Sequence, residues 1–524
     1  MADYDGIVIG SGHNGLVCAL YLARAGWRVL VLERAGQLGG TVRTGEVTLP
    51  GFKHDLFAMN LGAFRSSAVY NELKAEFDRT GLTFLVNPRP YASAYPDGRA
   101  VRVYSDPDRM AAELARHSAG DLRGWNEAVS LYKRTAPYLL PILKSPVPSW
   151  AAGRHLWRMF RGLGASEMLE LGQLVLKSPR GYADAFFQTD EVKGLFVPWG
   201  LHGDLGPDVS GGAPFPFLRG IGAHLDGLAM ARGGAAHVVS ALERLIEEKG
   251  GVVRRETEVS RVLVEQGRAV GVETSVGDAI RAAKAVIANV TPRVLFGQLV
   301  PEGALSAAFR TRAARYRYGP GSFMVHLALS EPLEWNSGED ISQFSYVHLN
   351  GKPDDAAAAY TQSLSGALPR RPMLIVSQPT SCDPLRAPAG RHIVGVQVRA
   401  VPAVITSDTG GVIGQRDWDA IKEEFGARVI DVIAEHAPNI KGAILGAHFL
   451  SPLDLERGNP NLVGGDCVSG SHHLDQYYLF RPFPGWSRYA TPVKGLYMVG
   501  ASTWPGGGVH GTSGYLLACT LLRR

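Results

Sequence analysis

Three glycines and one acid near the amino end have the types and spacing to hold a dinucleotide. They are Gly10, Gly12 and Gly15, in the run Gly10-Ser11-Gly12-His13-Asn14-Gly15, and Glu33 beyond them. Gly10 permits a tight turn, Gly12 lets the backbone come close to a pyrophosphate, and Gly15 lets a helix pack closely on a strand. Backbone N–H groups at the start of that helix would face the diphosphate, and Glu33 would accept hydrogen bonds from ribose hydroxyls. A glycine-rich turn without a ligand is the alternative, and it leaves the acid without a purpose. On these residues alone the dinucleotide is FAD or NAD.

The elements needed to position those residues are all present. Ile7-Val8-Ile9 reads as a strand buried on both faces, and Leu16, Val17, Ala19, Leu20, Leu22 and Ala23 read as a helix closed by Gly26. A second apolar run, Trp27 to Leu32, brings Glu33 to its carboxyl end. This strand, turn, helix, strand and acid in succession make a weak glycine pattern specific.

With 524 residues the chain is too long for one small core, so two interleaved domains are expected. A composition 45% hydrophobic and 20% charged is that of an ordinary soluble globular enzyme. The net charge of +5 argues against nucleic acid as a partner, although a local basic patch would suit an anionic membrane surface. Cys18, Cys382, Cys467 and Cys519 form no C-x-x-C pair, so neither a redox dithiol nor a metal site is expected. No secretory segment precedes the first strand, and no apolar run approaches transmembrane length. A cytoplasmic protein is expected, membrane contact being peripheral at most; nothing in the sequence sets an oligomeric state.

Farther along, His54 and Asp55 are either active-site polar groups or loop hydrogen-bonders, the second being favoured. From about Val69 to Gly220 the pattern predicts an inserted, mainly helical region, with stretches at Asp106 to His117 and Gly124 to Leu143 interrupted by Pro137, Pro141, Pro146 and Pro148. Trp150 to Arg161 mixes aromatic and basic residues, as an interfacial helix or a packed lid would. The cofactor domain resumes at Gly233-Gly234, with a helix through Val238, Leu242 and Leu245 and strands at Val252 to Arg255, Val259 to Glu265, Ala269 to Thr274 and Ala285 to Asn289. Strand-like and helical runs then alternate to Trp486, and Asp417 is placed to cap a helix through Ile421, Phe425, Val429 and Ile433. A last strand, Gly495 to Gly500, leads through a glycine-rich loop to a helix from Tyr515 to Leu522. Gly506, Gly508 and Gly511 formally repeat the first glycine pattern, but no strand or acid follows them, so a second dinucleotide site is rejected.

The segment Arg34-Ala35-Gly36-Gln37-Leu38-Gly39-Gly40-Thr41-Val42-Arg43 resembles the glycine pair and base that lie along the FAD diphosphate in flavoproteins of the amine oxidase and phytoene desaturase type. With the closing Gly495-Leu496-Tyr497-Met498-Val499-Gly500-Ala501-Ser502-Thr503-Trp504-Pro505-Gly506-Gly507-Gly508-Val509-His510-Gly511, the chain resembles the phytoene desaturase-related FAD oxidoreductases. His473-Leu474-Asp475-Gln476, Arg481-Pro482 and the lead-in Thr491 to Tyr497 most resemble the branch named pyridine nucleotide-disulfide oxidoreductase domain-containing 2, although no dithiol is present.

The expected fold class is α/β, with a Rossmann-type FAD-binding domain of residues 1–68, 221–300 and 487–524 and a discontinuous α+β substrate domain of residues 69–220 and 301–486. The resemblance implies noncovalent FAD held by Gly10, Gly12, Gly15, Glu33, Arg34, Gly40 and Arg43, with Val259 over the adenine. It places Gly500, Ala501, Gly507, Gly508 and Val509 under the ribityl chain and ring, and makes His510 either a proton-handling or a structural histidine. The implied reaction takes hydride from a C–H bond of an apolar, unsaturated substrate. Amine oxidation, redox-neutral polyene isomerisation and an interaction protein with structural FAD compete with it. Aromatic side chains beside the flavin would mark an amine oxidase, Trp504 and Tyr515 being the residues to place.

Overall fold

In the computed structural model, which describes residues 3–523, the strand Tyr4–Ile9 lies inside a sheet. It pairs in parallel with Val29–Leu32 on one side and with Ala279–Ala288 on the other. Val252–Arg254 and Leu496–Met498 extend the parallel ladder outward from these neighbours. Ile7, Val8 and Val29 to Val31 have no exposed surface, as expected of parallel strands covered on both faces. The first helix, His13–Arg24, carries no charge before Arg24 and is buried from His13 to Ala23. It packs against Ala236–Glu248 and the terminal helix Thr512–Leu521.

An antiparallel meander hangs from the long strand Ala279–Ala288, formed by Val259–Glu265 and Arg268–Thr274. Its hairpin turns through Gln266 and Gly267, both at positive φ, the conformation that two-residue turns of this hand require. This meander brings Val259 beside the carboxyl end of the parallel strands.

A second seven-stranded sheet runs in the order Ile444–Leu450, Gly321–Leu329, His392–Val401, Met373–Ser377, Tyr346–Leu349, Tyr91–Ala94, Ala100–Val103. All its pairings are antiparallel except that between Tyr346–Leu349 and Tyr91–Ala94. The helix Trp418–Ala434 covers it with Ile421, Phe425, Val429 and Ile433, all buried. Asp417 caps that helix by accepting the Asp419 N–H at 3.1 Å.

The region 69–220 is mainly helical, as expected, but it also contributes three short strands. It supplies Tyr91–Ala94 and Ala100–Val103 to the second sheet, and Phe84–Asn87 to a small ladder with Leu228–Ala231. Nor do Pro137 and Pro141 interrupt a helix, because Ala119–Leu143 runs through both. The carbonyls they leave without a helical donor belong to Lys133 and Pro137, both exposed residues where water can serve. Trp150–Leu176 follows, bent at Gly164. Among the described residues no helix is long and apolar enough to cross a membrane, and no group of His, Cys, Asp or Glu side chains could hold a metal ion.

Candidate functional site

A cavity of about 380 Å³ opens at the carboxyl ends of the parallel strands, where Ile9 hands the chain to the first helix. Gly10 turns the backbone at φ 88°. A Cβ on Gly15 would lie 2.7 Å from the Gly10 carbonyl oxygen, so only glycine lets the helix start this close to its strand. A Cβ on Gly12 would lie 2.5 Å from Asn289 Nδ2. The helix that begins here has no acid in its first turn and no side-chain cap, which leaves its positive end available to an anion.

Glu33 closes one end of the cavity and is itself buried. Its Oε2 accepts the Ser11 N–H at 2.9 Å and the Ser11 hydroxyl at 2.6 Å, and its Oε1 accepts the Ala35 N–H at 2.9 Å. Ser11 Oγ in turn accepts the Gly39 N–H at 3.2 Å, tying the first glycine turn to the second glycine pair. Gly39 and Gly40 stand at φ 109° and 61°, and a Cβ on Gly39 would meet the Val42 carbonyl at 2.4 Å.

Arg43 lines the cavity with its guanidinium 5.4 Å from the Phe57 ring centroid and its Nε buried without a partner. Burial pulls its pKa down, and the Glu33 charge partly restores it. Arg34, at the outer rim, pairs with Glu258 at 3.7 Å. Val259 forms part of the wall next to Thr257 and Ser260. Gly500 and Ala501, with Ser469 and Ser502, also line it, Gly500 lying against the same Asn289 amide as Gly12.

Gly10, Gly12, Glu33, Arg34, Gly40, Arg43, Val259, Gly500 and Ala501 therefore share one cavity, with Gly15 packed behind them. Gly507, Gly508, Val509 and His510 do not reach its wall. Their loop folds against other groups. The Gly507 N–H donates to His472 Nε2 at 3.0 Å, the Gly507 carbonyl accepts from Arg219 at 3.3 Å, and the Gly508 carbonyl lies 3.2 Å from His13 Nε2. His510 Nδ1 accepts the Thr512 N–H at 3.0 Å, which fixes that nitrogen as unprotonated and occupies the first N–H of the terminal helix. Burial lowers His510 to about 3 and His13 to about 4, so both rings are neutral at physiological pH.

Other singled-out residues have structural work. Asp55 accepts from Thr44 Oγ1 and the Ala235 N–H, both at 2.7 Å, and from Arg386 at 2.9 Å, while His54 Nε2 is 2.8 Å from Thr48 Oγ1. Trp504 is buried and donates to the Ser145 carbonyl at 2.8 Å. Tyr515 reaches Glu72 at 2.6 Å. Among the described residues no Phe, Tyr or Trp lines the cavity.

Asn289, Asn459 and Asn461 are wall residues that no motif announces. Asn289 follows the strand Ala279–Ala288, and Asn461 accepts the Thr291 N–H at 2.9 Å. The wall as a whole suits a dinucleotide. It offers an uncapped helix start and an unpartnered arginine nitrogen to a diphosphate, and a carboxylate to the sugar end.

A family model described as flavin containing amine oxidoreductase matches residues 15–522. The chain is 29% identical to the pyridine nucleotide-disulfide oxidoreductase domain-containing protein 2 of Rattus norvegicus, with 98% of this chain and 92% of that protein covered. It is 29% identical to a limonene dehydrogenase polypeptide of Castellaniella defragrans, covering 99% and 94%, and 25% identical to the neurosporene-forming phytoene desaturase of Cereibacter sphaeroides, covering 97% and 92%. Among solved structures, an oxidoreductase from Methanosarcina mazei superposes with a TM-score of 0.59 at 18% identity, covering 99% of this chain and all of that one.

Proposed function

The chain belongs to the flavin containing amine oxidoreductase family and is an FAD-dependent oxidoreductase, and from that premise we propose that it takes hydride from a C–H bond of an apolar, unsaturated substrate. The observation that carries this reading is the likeness over nearly the whole chain to proteins named for limonene and phytoene, both hydrocarbons. Bound FAD supplies a two-electron hydride acceptor. The residues that would hold it are Gly10, Gly12, Glu33, Gly40, Arg43, Val259, Gly500 and Ala501. The helix start and Arg43 would neutralise the diphosphate, and Glu33 would orient the sugar. The proton that leaves with the hydride would go to solvent; His510, whose Nδ1 accepts the Thr512 N–H, carries its own proton on Nε2 and has no free lone pair to take another.

Apolar substrates are stored in bilayers, and the helix Trp150–Leu176 presents a surface fit to reach one. Trp150, Leu156, Trp157 and Phe160 are exposed, Trp150 at 92% and Trp157 at 60%. Arg154, Arg158 and Arg161 are exposed between them, with no carboxylate of the described residues in ion-pair range. Such a face matches an anionic lipid surface.

Amine oxidation is the reading to test against. The FAD-loaded protein is mixed anaerobically with a polyene or long-chain alkene and, separately, with benzylamine. Bleaching of the visible flavin band by the hydrocarbon is the expected outcome; bleaching by the amine alone would make the protein an amine oxidase.

A further inference from the structure

The loop Gly458 to Leu462 belongs to no glycine motif, yet every one of its residues lies on the wall of the cofactor cavity. It comes from the layer of the second sheet. The helix Pro452–Gly458 leads into it, and Leu455 and Leu462 are buried in one cluster with Met324 of the strand Gly321–Leu329 and with Phe57, the ring under Arg43. That helix is held at both ends. Ser451 Oγ accepts the Asp454 N–H at 3.1 Å while Asp454 Oδ2 accepts the Ser451 N–H at 3.0 Å, and Arg457 donates twice to Asp419, at 2.7 and 2.8 Å.

The loop itself is tied by asparagine amides. Asn459 Oδ1 accepts the Asn461 N–H at 3.2 Å, and the Asn459 carbonyl accepts the Leu462 N–H at 2.8 Å. Asn461 Oδ1 accepts the Thr291 N–H at 2.9 Å, and its Nδ2 donates to the Asn289 carbonyl at 3.5 Å. Asn289 is in turn wedged between the two glycine turns, its Nδ2 2.5 Å from where a Cβ on Gly12 would lie and its Oδ1 2.8 Å from one on Gly500. The loop is therefore registered on the same glycine turn that starts the first helix.

One donor in this set is left over. Because Asn459 Oδ1 takes the Asn461 N–H, the amide can face only one way, with Nδ2 toward Gly40. A Cβ on Gly40 would lie 3.9 Å from that nitrogen and 3.4 Å from the Gly12 Cα. Among the described residues Asn459 Nδ2 donates to nothing. The wall also lacks cations. Its charged side chains among the described residues are Arg34 and Arg43 against Glu33 and Glu258, which leaves no net positive charge to set against two phosphates. Neutral N–H donors must supply the remainder.

We propose that Asn459 is a ligand of the FAD diphosphate, its Nδ2 donating to a phosphate oxygen held between Gly12 and Gly40. Asn461 and Asn289 are positioning residues that set the amide over the glycines. The cofactor is then gripped from the layer of the second sheet as well as by the strand, turn and helix of the first, and FAD joins the two. This rests on the FAD reading above.

The full-length protein stripped of flavin is titrated with FAD and with ADP, which carries the adenosine and diphosphate of FAD without its ring. Flavin fluorescence reports FAD, and competition reports ADP. Two substitutions separate a phosphate contact from upkeep of the loop. Asn459→Asp keeps an oxygen for the Asn461 N–H but exchanges the donor for a negative charge, whereas Asn459→Ala removes donor and acceptor together. Asn459→Ala should weaken FAD and ADP alike by roughly 10-fold, and Asn459→Asp by more. The extra loss in Asn459→Asp should shrink in high salt, as repulsion of a phosphate does and a folding defect does not. Asn459→Asp binding FAD as the wild type does, or more tightly than Asn459→Ala, would overturn the inference by leaving the residue only its turn. A loss insensitive to salt would overturn it as well, and weakened FAD with unchanged ADP would move the amide to the ring end. Failure of the unsubstituted protein to bind either ligand would instead sink the cofactor reading, and this inference with it.

Discussion

Ser11 and Glu33 are joined twice, the backbone N–H and the hydroxyl of the serine both donating to the same carboxylate oxygen at 2.9 and 2.6 Å. The acid therefore holds the glycine turn in shape as well as facing the sugar end of the cavity. Glu33→Ala is expected to weaken FAD retention by roughly 1–3 kcal/mol, or one to two decades in affinity. Ser11→Ala, which removes only the hydroxyl and its link to Gly39, should cost about 1 kcal/mol. His510→Ala should leave retention nearly unchanged, since its ring lies off the cavity wall. Flavin remaining after dialysis, compared among the three variants, checks the order.

Released cofactor should chromatograph as FAD. Recovery of NAD or FMN in its place would contradict the role given to the cavity.

Two buried histidines make stability depend on acid. His348 and His436 have no exposed surface and no hydrogen-bond partner at either ring nitrogen. Burial lowers His348 to about 3 and His436 to about 4. Above about pH 6.5 both states carry neutral rings and the full stability is present; as pH falls below this, the unfolded chain takes up protons that the folded one refuses. Stability is expected to decline from about pH 6.5 toward about pH 4, by of order 1–3 kcal/mol for each ring. Thermal midpoints measured across this range should fall less steeply in His348→Phe than in the wild type.

The exposed helix predicts a lipid effect separable from the cofactor. Replacing Trp157 by Ala and Arg158 by Glu together should reduce co-sedimentation with vesicles containing phosphatidylserine, each basic residue near such a surface contributing roughly 1 kcal/mol. FAD content should not change. Binding that is equal in the variant, or insensitive to salt in the wild type, would remove the membrane role.

Gly514 is where the terminal helix crosses the first. A Cβ there would lie 1.9 Å from the Asn14 carbonyl oxygen, which is backbone and has nowhere to go. Gly514→Ala should therefore destabilise the protein by about 1–3 kcal/mol and loosen FAD, while Gly267→Ala, with open space around it, should affect only its own hairpin. Melting of the two variants in parallel separates a packing clash from turn strain.

How far the sequence is readable follows from how local each signal is. The first strand, turn and helix are legible because a continuous apolar run and three glycines within six positions leave one way to fold, and Val259 falls where the hairpin at Gln266-Gly267 puts it. Tyr91–Ala94 and Ala100–Val103 stay hidden, being four residues each, paired with one another and joined to the sheet only where Tyr91–Ala94 meets Tyr346–Leu349, some 250 positions away. Asn289, Asn459 and Asn461 are polar residues just beyond or between elements, where they belong to no periodic pattern. The glycines of the closing loop are visible, but their reason is not. Gly506 is there because a Cβ would lie 2.7 Å from His472 Nε2, a contact that only the folded chain reveals.

The cradle is assembled from opposite ends of the numbering, one part of its wall from Gly10 to Arg43 and another from Val499 to Ser502, with Gly12 and Gly500 meeting at Asn289. A ribosome making this protein finishes the first wall long before it begins the second. FAD can be captured firmly only after translation has passed the strand Leu496–Met498 and the helix Thr512–Leu521 has settled on the first helix. Until then a nearly complete polypeptide carries an open nucleotide site, so the last thirty residues of the chain decide whether the first forty can hold their ligand.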